Sequence, residues 1–354
     1  MSTFTQFHVI TSYPPSNLNR DDLGRNKTAM MGGAQRSRVS SQCQKRAVRL
    51  SEGFADIFNA NIGVRTKKMG VNVFDQLVAG GISEKNARNW ARDIAGVFGK
   101  LPDVKKDDLN PGLDISQLAH ISVTEQAAID ELVKLLIAEQ RGPEPGELEL
   151  LRHETESVDI ALFGRMMASN PGFNVEASCQ FAHSISVHEA RPEIDYFTAN
   201  DDLNDGSEHS GSSHIGENSF VAAVYYTYIC VNNDLLISNL NGNVELANRA
   251  VRALIEGVIT VSPTGKQNSF GSRAHASYVL AERGNYSPCA IGHAAFTKPI
   301  DKKSSDYMAA AISALEEYRA NHSHCYDVYT NDSYTMNVTN GTGRLSELLT
   351  FVSE

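Results

Sequence analysis

The sequence has too few cysteines in too scattered an arrangement for a disulfide framework: Cys43, Cys179, Cys230, Cys289 and Cys325 are odd in number and far apart. That excludes the small cross-linked secreted class and fits a reducing cytoplasm. Long apolar runs are also absent. The longest, "FVAAVYYTYICV" (Phe220 to Val231), is too short to span a bilayer as a helix and is rich in β-formers, so it reads as a buried strand and no membrane is expected. The start, "MSTFTQFHVITS", lacks the cationic flank, apolar centre and small-residue cleavage site of a secretory signal. No internal repeat or long low-complexity tract is found, and "TGKQNS" lacks the spacing of a Walker A loop, which argues against nucleotide triphosphates. With 41% hydrophobic and 21% charged residues, the 354-residue chain is expected to be globular, with two or so structural units.

Positive charge is scarce too, 32 Lys and Arg against 42 Asp and Glu, but it is not spread evenly. Residues 1–50 hold eight cations (Arg20, Arg25, Lys27, Arg36, Arg38, Lys45, Arg46, Arg49) against Asp21 and Asp22, a balance of +6, so the remaining 304 residues carry −16. Charge sorted in this way lets one stripe face phosphates while the rest keeps the chain soluble. The stretch is "PPSNLNRDDLGRNKTAMMGGAQRSRVSSQCQKRAVR" (residues 14–49), and its Asn, Thr, Ser and Gln suit sugar-phosphate contacts.

Phe4 to Thr11 reads as a strand, followed by a long polar loop and a second short strand, "AQRSRVS", on which Arg36 and Arg38 share a face. Ser41 with Gln44 forms a capping-box signature for a helix reaching about Phe58. Cys43, Ala47, Leu50, Phe54 and Ile57 are expected on its buried stripe, and Gln42, Lys45, Arg46 and Arg49 on the opposite edge. Ser40, Ser41 and Gln42 stand at its start, where unpaired backbone N–H groups hold phosphate.

Residues 60–155 read as an inserted helical subdomain, "VDIALFGRM" (Val158 to Met166) as a return to β-structure, and residues 187–220 as a protruding hairpin with a Gly/Ser-rich tip. In that hairpin Tyr196 and Phe197 accompany a single cation, Arg191; they are packing residues or a wedge that stacks on bases. A strand ending near Val231, a helix, a Gly/Ser loop, another strand and a helical C-terminus follow. The order predicts an α+β fold with a ferredoxin-like β-α-β-β-α-β core of about 90 residues and large insertions.

Competing chemistry is weaker. Asp21 and Asp22, with His188, are the candidates for a metal-dependent ribonuclease, since adjacent carboxylates hold Mg²⁺ against phosphate; a loop acidic pair equally orders a turn. His183, His188, His209 and His214 match no standard ligand spacing, and "HSHC" (His322 to Cys325) has no second half.

The segment from Ser16 to Arg49, with "VDIALFGRMMAS", "FAHSISVHEARPEIDYFTANDDL" and "HIGENSFVAAVYYTY" in the same order, resembles the CasC family, the backbone subunit of the type I-E CRISPR surveillance complex Cascade. The resemblance implies a hand-shaped protein: an RRM-like palm (1–59, 156–187 and 219–354), helical fingers (60–155) and a β-hairpin thumb (188–218). It implies no enzyme, cofactor or metal, but repeated copies along a CRISPR RNA that pairs with target DNA. Other partners would be the large subunit, the small subunit, the guide-processing endoribonuclease and the 5′-handle-binding subunit. Arg20, Lys27, Ser40, Gln42, Lys45 and Arg49 would hold phosphates and riboses, alongside Arg38 and Arg46 of the basic stretch. Met166 would pack on bases beside a kink made by Phe197 and Thr198, and Asp21 and Asp22 would be structural.

Overall fold

The computed structural model describes residues 3–102, 112–153, 155–199, 214–328 and 332–353. The strands are β1 (Phe4–Ser16), β2 (Thr28–Met31), β3 (Ala34–Val39), β4 (Val64–Thr66), β5 (Ala119–Ile121), β6 (Cys179–Phe181), β7 (Ser184–Ser186), β8 (Glu193–Ala199), β9 (His214–Asn232), β10 (Tyr278–Gly284) and β11 (Ser333–Asn337). The helices are α1 (Ser41–Arg49), α2 (Glu52–Ile57), α3 (Met69–Ala79), α4 (Glu84–Phe98), α5 (Val123–Glu139), α6 (Val158–Phe163), α7 (Asn233–Asn239), α8 (Val244–Thr260), α9 (Gln267–Phe270), α10 (Ile291–Ala295), α11 (Tyr307–Tyr326) and α12 (Leu345–Phe351). None of the described helices is long and apolar enough to cross a membrane.

The chain forms two compact units. The first comprises 1–54, 180–231 and 251–354; the second comprises 55–179 and 232–250, so 156–179 falls with the helical unit rather than with the sheet.

In the first unit the sheet runs β11-β10-β1-β9-β7-β3-β2, with β6 and β8 also paired to β9. Its middle, β10-β1-β9-β7, is reached in the chain order β1, α1, β7, β9, α8, β10. Both faces are covered, which explains why β9 reads as a continuous apolar run. Val224, Tyr226, Tyr228 and Cys230 pack with Ile291, Phe296, Ala311, Ile312 and Leu315, the contributions of α10, α11 and their connection. The alternate residues Val221, Ala223 and Tyr225 pack with Tyr13, Leu18 and Val39 on the other side. Each fully buried aliphatic side chain contributes roughly 1.5–3 kcal/mol.

The stretch expected as a long polar loop contains β2, which pairs antiparallel with β3 in the register Met31↔Ala34. Gly32 and Gly33 make the turn at φ +59° and +75°, a left-handed pair that only glycine adopts at low cost.

The basic helix differs from its expected form. Its N-cap is Ser40, whose Oγ accepts from Cys43 N at 3.3 Å, so the Ser41 capping box does not form. It ends at Arg49, not near Phe58. Ser51 donates from Oγ to Val48 O at 2.7 Å and accepts from Phe54 N, closing α1 and opening α2 with one side chain. The break shifts the phase of the buried stripe, so Val48 and Phe54 are buried whereas Leu50 and Ile57 are exposed.

In the second unit α3, α4 and α5 pack around Leu77, Ile94, Ile129 and Leu136, with β4 and β5 as a separate antiparallel pair. The segment Val158–Met166 is not a strand: Val158–Phe163 is the helix α6, with Val158 to Leu162 all buried. A short run buried on every side, its one polar residue Asp159 included, has no readable period. Asp159 fastens α6, its Oδ1 accepting from Gly63 N at 2.9 Å and its Oδ2 lying 2.9 Å from His120 Nε2.

Candidate nucleic-acid interface

The loop after β1 is built by backbone pairing and by asparagine side chains. Lys27 N donates to Asn19 O and Arg38 N to Lys27 O. Asn19 Oδ1 accepts from Ser40 N at 2.9 Å, tying the loop to the start of α1. Arg20, which bridges to Asn26 across the loop, is exposed. Asp21 Oδ1 accepts from Leu23 N and Arg25 N, and Arg25 stands 3.6 Å from its other oxygen. Asp21 therefore orders a turn, and Asp22 is exposed beside it. Among the described residues no group of three or more His, Cys, Asp or Glu is arranged to hold a metal ion.

His188 is fully engaged: Nδ1 donates to Glu189 O at 2.8 Å, Nε2 accepts from Val224 N at 3.3 Å, and its ring stacks on Tyr307. It has no position left for acid–base chemistry.

Arg36 and Arg38 lie two apart on β3, and the structure treats them oppositely. Arg36 is fully buried and donates to Ser186 O at 2.7 Å, Phe296 O at 2.9 Å and Thr297 O at 3.3 Å. It is a structural staple, unavailable to phosphate. Arg38 is half-buried, donating from Nε to Thr28 O at 3.4 Å and from Nη1 to His183 Nδ1 at 2.9 Å.

Around His183 the basic residues converge. Burial foremost, and then the charges of Arg38, Lys27 and Lys45, hold its imidazole below the usual histidine range. Lys27 and Arg46 likewise flank Cys43, although its burial outweighs them and raises the thiol. Lys27, Arg38, Lys45 and Arg46 thus share one neighbourhood with the N-terminus of α1, where Gln42 is exposed and Ser40 Oγ is occupied by its cap. Arg46 and Arg49 occupy the last turn, where cations complement the helix dipole.

His183, His188 and His293 are all held below the ordinary value near 6.5, with burial the largest cause each time. The folded chain keeps them neutral and the unfolded chain protonates them first. Their stabilisation is complete above about pH 6.5 and is lost as pH falls through the lower folded values. Calorimetry is expected to show the melting temperature dropping as pH is lowered from about 6.5 to about 5; a flat profile contradicts this.

The hairpin is described up to Ala199 and from His214; the expected tip, Asn204 to Ser213, lies outside the described residues, as does His209. Phe197 pairs with Gly216 and Thr198 with Ile215. Phe197 lies over Gly216, where a Cβ would come within 2.5 Å of its ring, so glycine is required beneath it. All of β8 is exposed, including Phe197 and Thr198. Met166 belongs to the second unit and is 83% exposed between buried Arg165 and buried Met167. The Met167 N–H donates to Asn174 Oδ1 at 2.7 Å. His183, offered by the sequence only as a histidine with no standard ligand spacing, and Asn19, one of several asparagines in the basic stretch, are residues of this neighbourhood that were not named individually as binding groups.

Comparison with known proteins follows the same lines. At 28% identity and a TM-score of 0.85, the chain is similar to a chain of a solved "CRISPR RNA-guided surveillance complex, pre-nicking", with 99% of each covered. A second structure, a "CRISPR RNA-guided surveillance complex", matches at 23% identity and a TM-score of 0.70 over 99% of both chains, a likeness of fold. A comparison with curated proteins gives no match. The sequence model of the family described as "CT1975-like protein" matches residues 5–349, nearly the whole length, and the chain belongs to that family.

Proposed function

We propose that this chain is the non-catalytic, CRISPR RNA-binding backbone subunit of a type I-E Cascade complex in the cytoplasm. The observation that carries the reading is the convergence of Lys27, Arg38, Lys45 and Arg46 beside the start of α1 in a chain otherwise strongly acidic. The likeness to a chain of an RNA-guided surveillance complex supports it. In this reading the sheet of the first unit, with its β10-β1-β9-β7 order, is the RRM-like palm, the helical unit forms the fingers, and β8 with β9 forms the thumb.

Palm cations neutralise guide phosphates without reading bases, so any spacer is accepted and affinity depends on salt. Phe197 and Thr198 wedge the strand open at intervals, while Met166 packs on the neighbouring bases. The Watson–Crick edges stay free, and sequence recognition passes to pairing with target DNA. Repetition along one guide multiplies a modest single-site affinity. The large, small, guide-processing and 5′-handle-binding subunits complete the complex.

The full chain is expected to bind labelled single-stranded RNAs of unrelated sequence equally, in mass steps that grow with RNA length. The log–log salt slope should be about −0.7 per neutralised phosphate. Incubation with Mg²⁺ is expected to leave the RNA intact. Binding as a single copy with sequence preference, or cleavage removed by Asp21→Ala/Asp22→Ala, overturns the reading.

A further inference from the structure

His183 occupies the two-residue connection between β6 and β7, and β7 pairs with β3 through Arg38↔Ile185. Its ring receives a hydrogen bond from Arg38, Nη1 to Nδ1, at 2.9 Å. A guanidinium has only donors, so the lone pair of Nδ1 must be the acceptor. The ring is therefore neutral, with its proton on Nε2. An imidazolium, with hydrogens on both nitrogens, cannot accept this bond.

The groups that face His183 come from several elements. Arg38 lies on β3, Lys27 at the end of the loop before β2, and Lys45 on α1, all three as cations. His293 of α10 bonds the backbone of His183 and is itself held neutral, chiefly by burial. Among the described residues, no carboxylate belongs to the groups that shift its titration. Three cations oppose a fourth positive charge, and an anion arriving beside the ring offsets that opposition. His183 is partly exposed, so an anion can reach it.

We propose that His183 is a phosphate-contacting residue of the palm that latches Arg38 in the free chain and takes up one solvent proton when a guide phosphate arrives. The phosphate supplies negative charge beside the imidazolium. Protonation of Nδ1 breaks the latch, Arg38 turns its freed N–H to the phosphate, and the imidazolium becomes an additional donor. RNA binding and proton uptake are thereby coupled, a role open to histidine because its ordinary titration lies near neutrality. The inference rests on the palm reading above.

The test is the affinity of the full chain for a fluorescent single-stranded RNA at fixed ionic strength, between about pH 8 and about pH 5.5, in the natural chain and in His183→Asn. Asparagine offers an oxygen to Arg38 but cannot titrate. The natural chain is expected to tighten roughly tenfold more than the variant as pH falls, the factor that follows when RNA raises the histidine pKa by about one. Calorimetry in buffers of different ionisation heat should show proton uptake that the variant lacks. His183→Gln serves as the second variant should the first fold poorly.

Identical pH profiles in natural and variant chains, with salt-dependent RNA binding intact in both, overturn the latch alone. Absence of RNA binding by the natural chain at every pH overturns the palm reading, and the latch with it.

Discussion

Charge reversal at Lys45 and Arg49 is expected to abolish guide retention and assembly. The two residues are one turn apart on the same side of α1; Lys45 acts on His183 together with Lys27 and Arg38, and Arg49 stands in the last turn. A hydrogen bond to a charged group is worth about 1.5–3 kcal/mol, so loss of two weakens each copy roughly 10²–10⁴-fold, before any repulsion from the new carboxylates. The salt slope should fall by about 1.4 as two phosphate contacts disappear. Cost to the helix itself is smaller, about 0.3–1 kcal/mol where glutamate opposes the C-terminal dipole. Measurement of RNA content in the purified complex, with melting as a folding control, separates the two effects. Undiminished RNA content would remove the cationic palm as the gripping surface.

The second large effect concerns stability. Arg165→Ala is expected to destabilise the helical unit by about 3–5 kcal/mol, the usual result of breaking a buried ion pair from one side. Arg165 donates from Nη1 to both Glu125 oxygens, at 2.9 and 2.6 Å, and from Nη2 to Arg152 O and Phe173 O, with both charged side chains at or below 1% exposure. Glu125 in turn accepts from Ser122 N and Arg152 N, closing the capping box of α5. Removing the guanidinium leaves a buried carboxylate without its counter-charge. It also loosens the anchor on one side of the exposed Met166. Urea unfolding checks the magnitude, and the apolar pair Arg165→Met/Glu125→Leu should recover much of the loss. A single variant that unfolds like the natural chain would show that this network is not what supports the unit.

Features carried by composition and short-range pattern were legible in advance. The segregation of cations into residues 1–50 is a property of the chain itself, and the β-rich run from Phe220 to Val231 announced a buried strand. The position of α1 was readable from serine, an apolar period and a basic edge, though its cap lies one residue earlier and its end about nine residues sooner than expected. That end depends on Ser51, whose single hydroxyl serves two helices. In α6 the expectation failed because burial on all sides erases the period by which helix and strand are told apart.

Arg36 and Arg38 mark the boundary most sharply. Spacing placed them on one face of one strand, both within the cationic stretch, and nothing local distinguishes them. The difference comes from carbonyls of Ser186, Phe296 and Thr297, about 150 to 260 positions away, which close over Arg36, while His183 meets Arg38. By itself the sequence determined where the positive charge is concentrated and that it begins a helix beside a β-strand. Tertiary structure alone decided which of those charges face outward, because a side chain's surroundings are set by segments remote in the chain whose arrival no local pattern encodes.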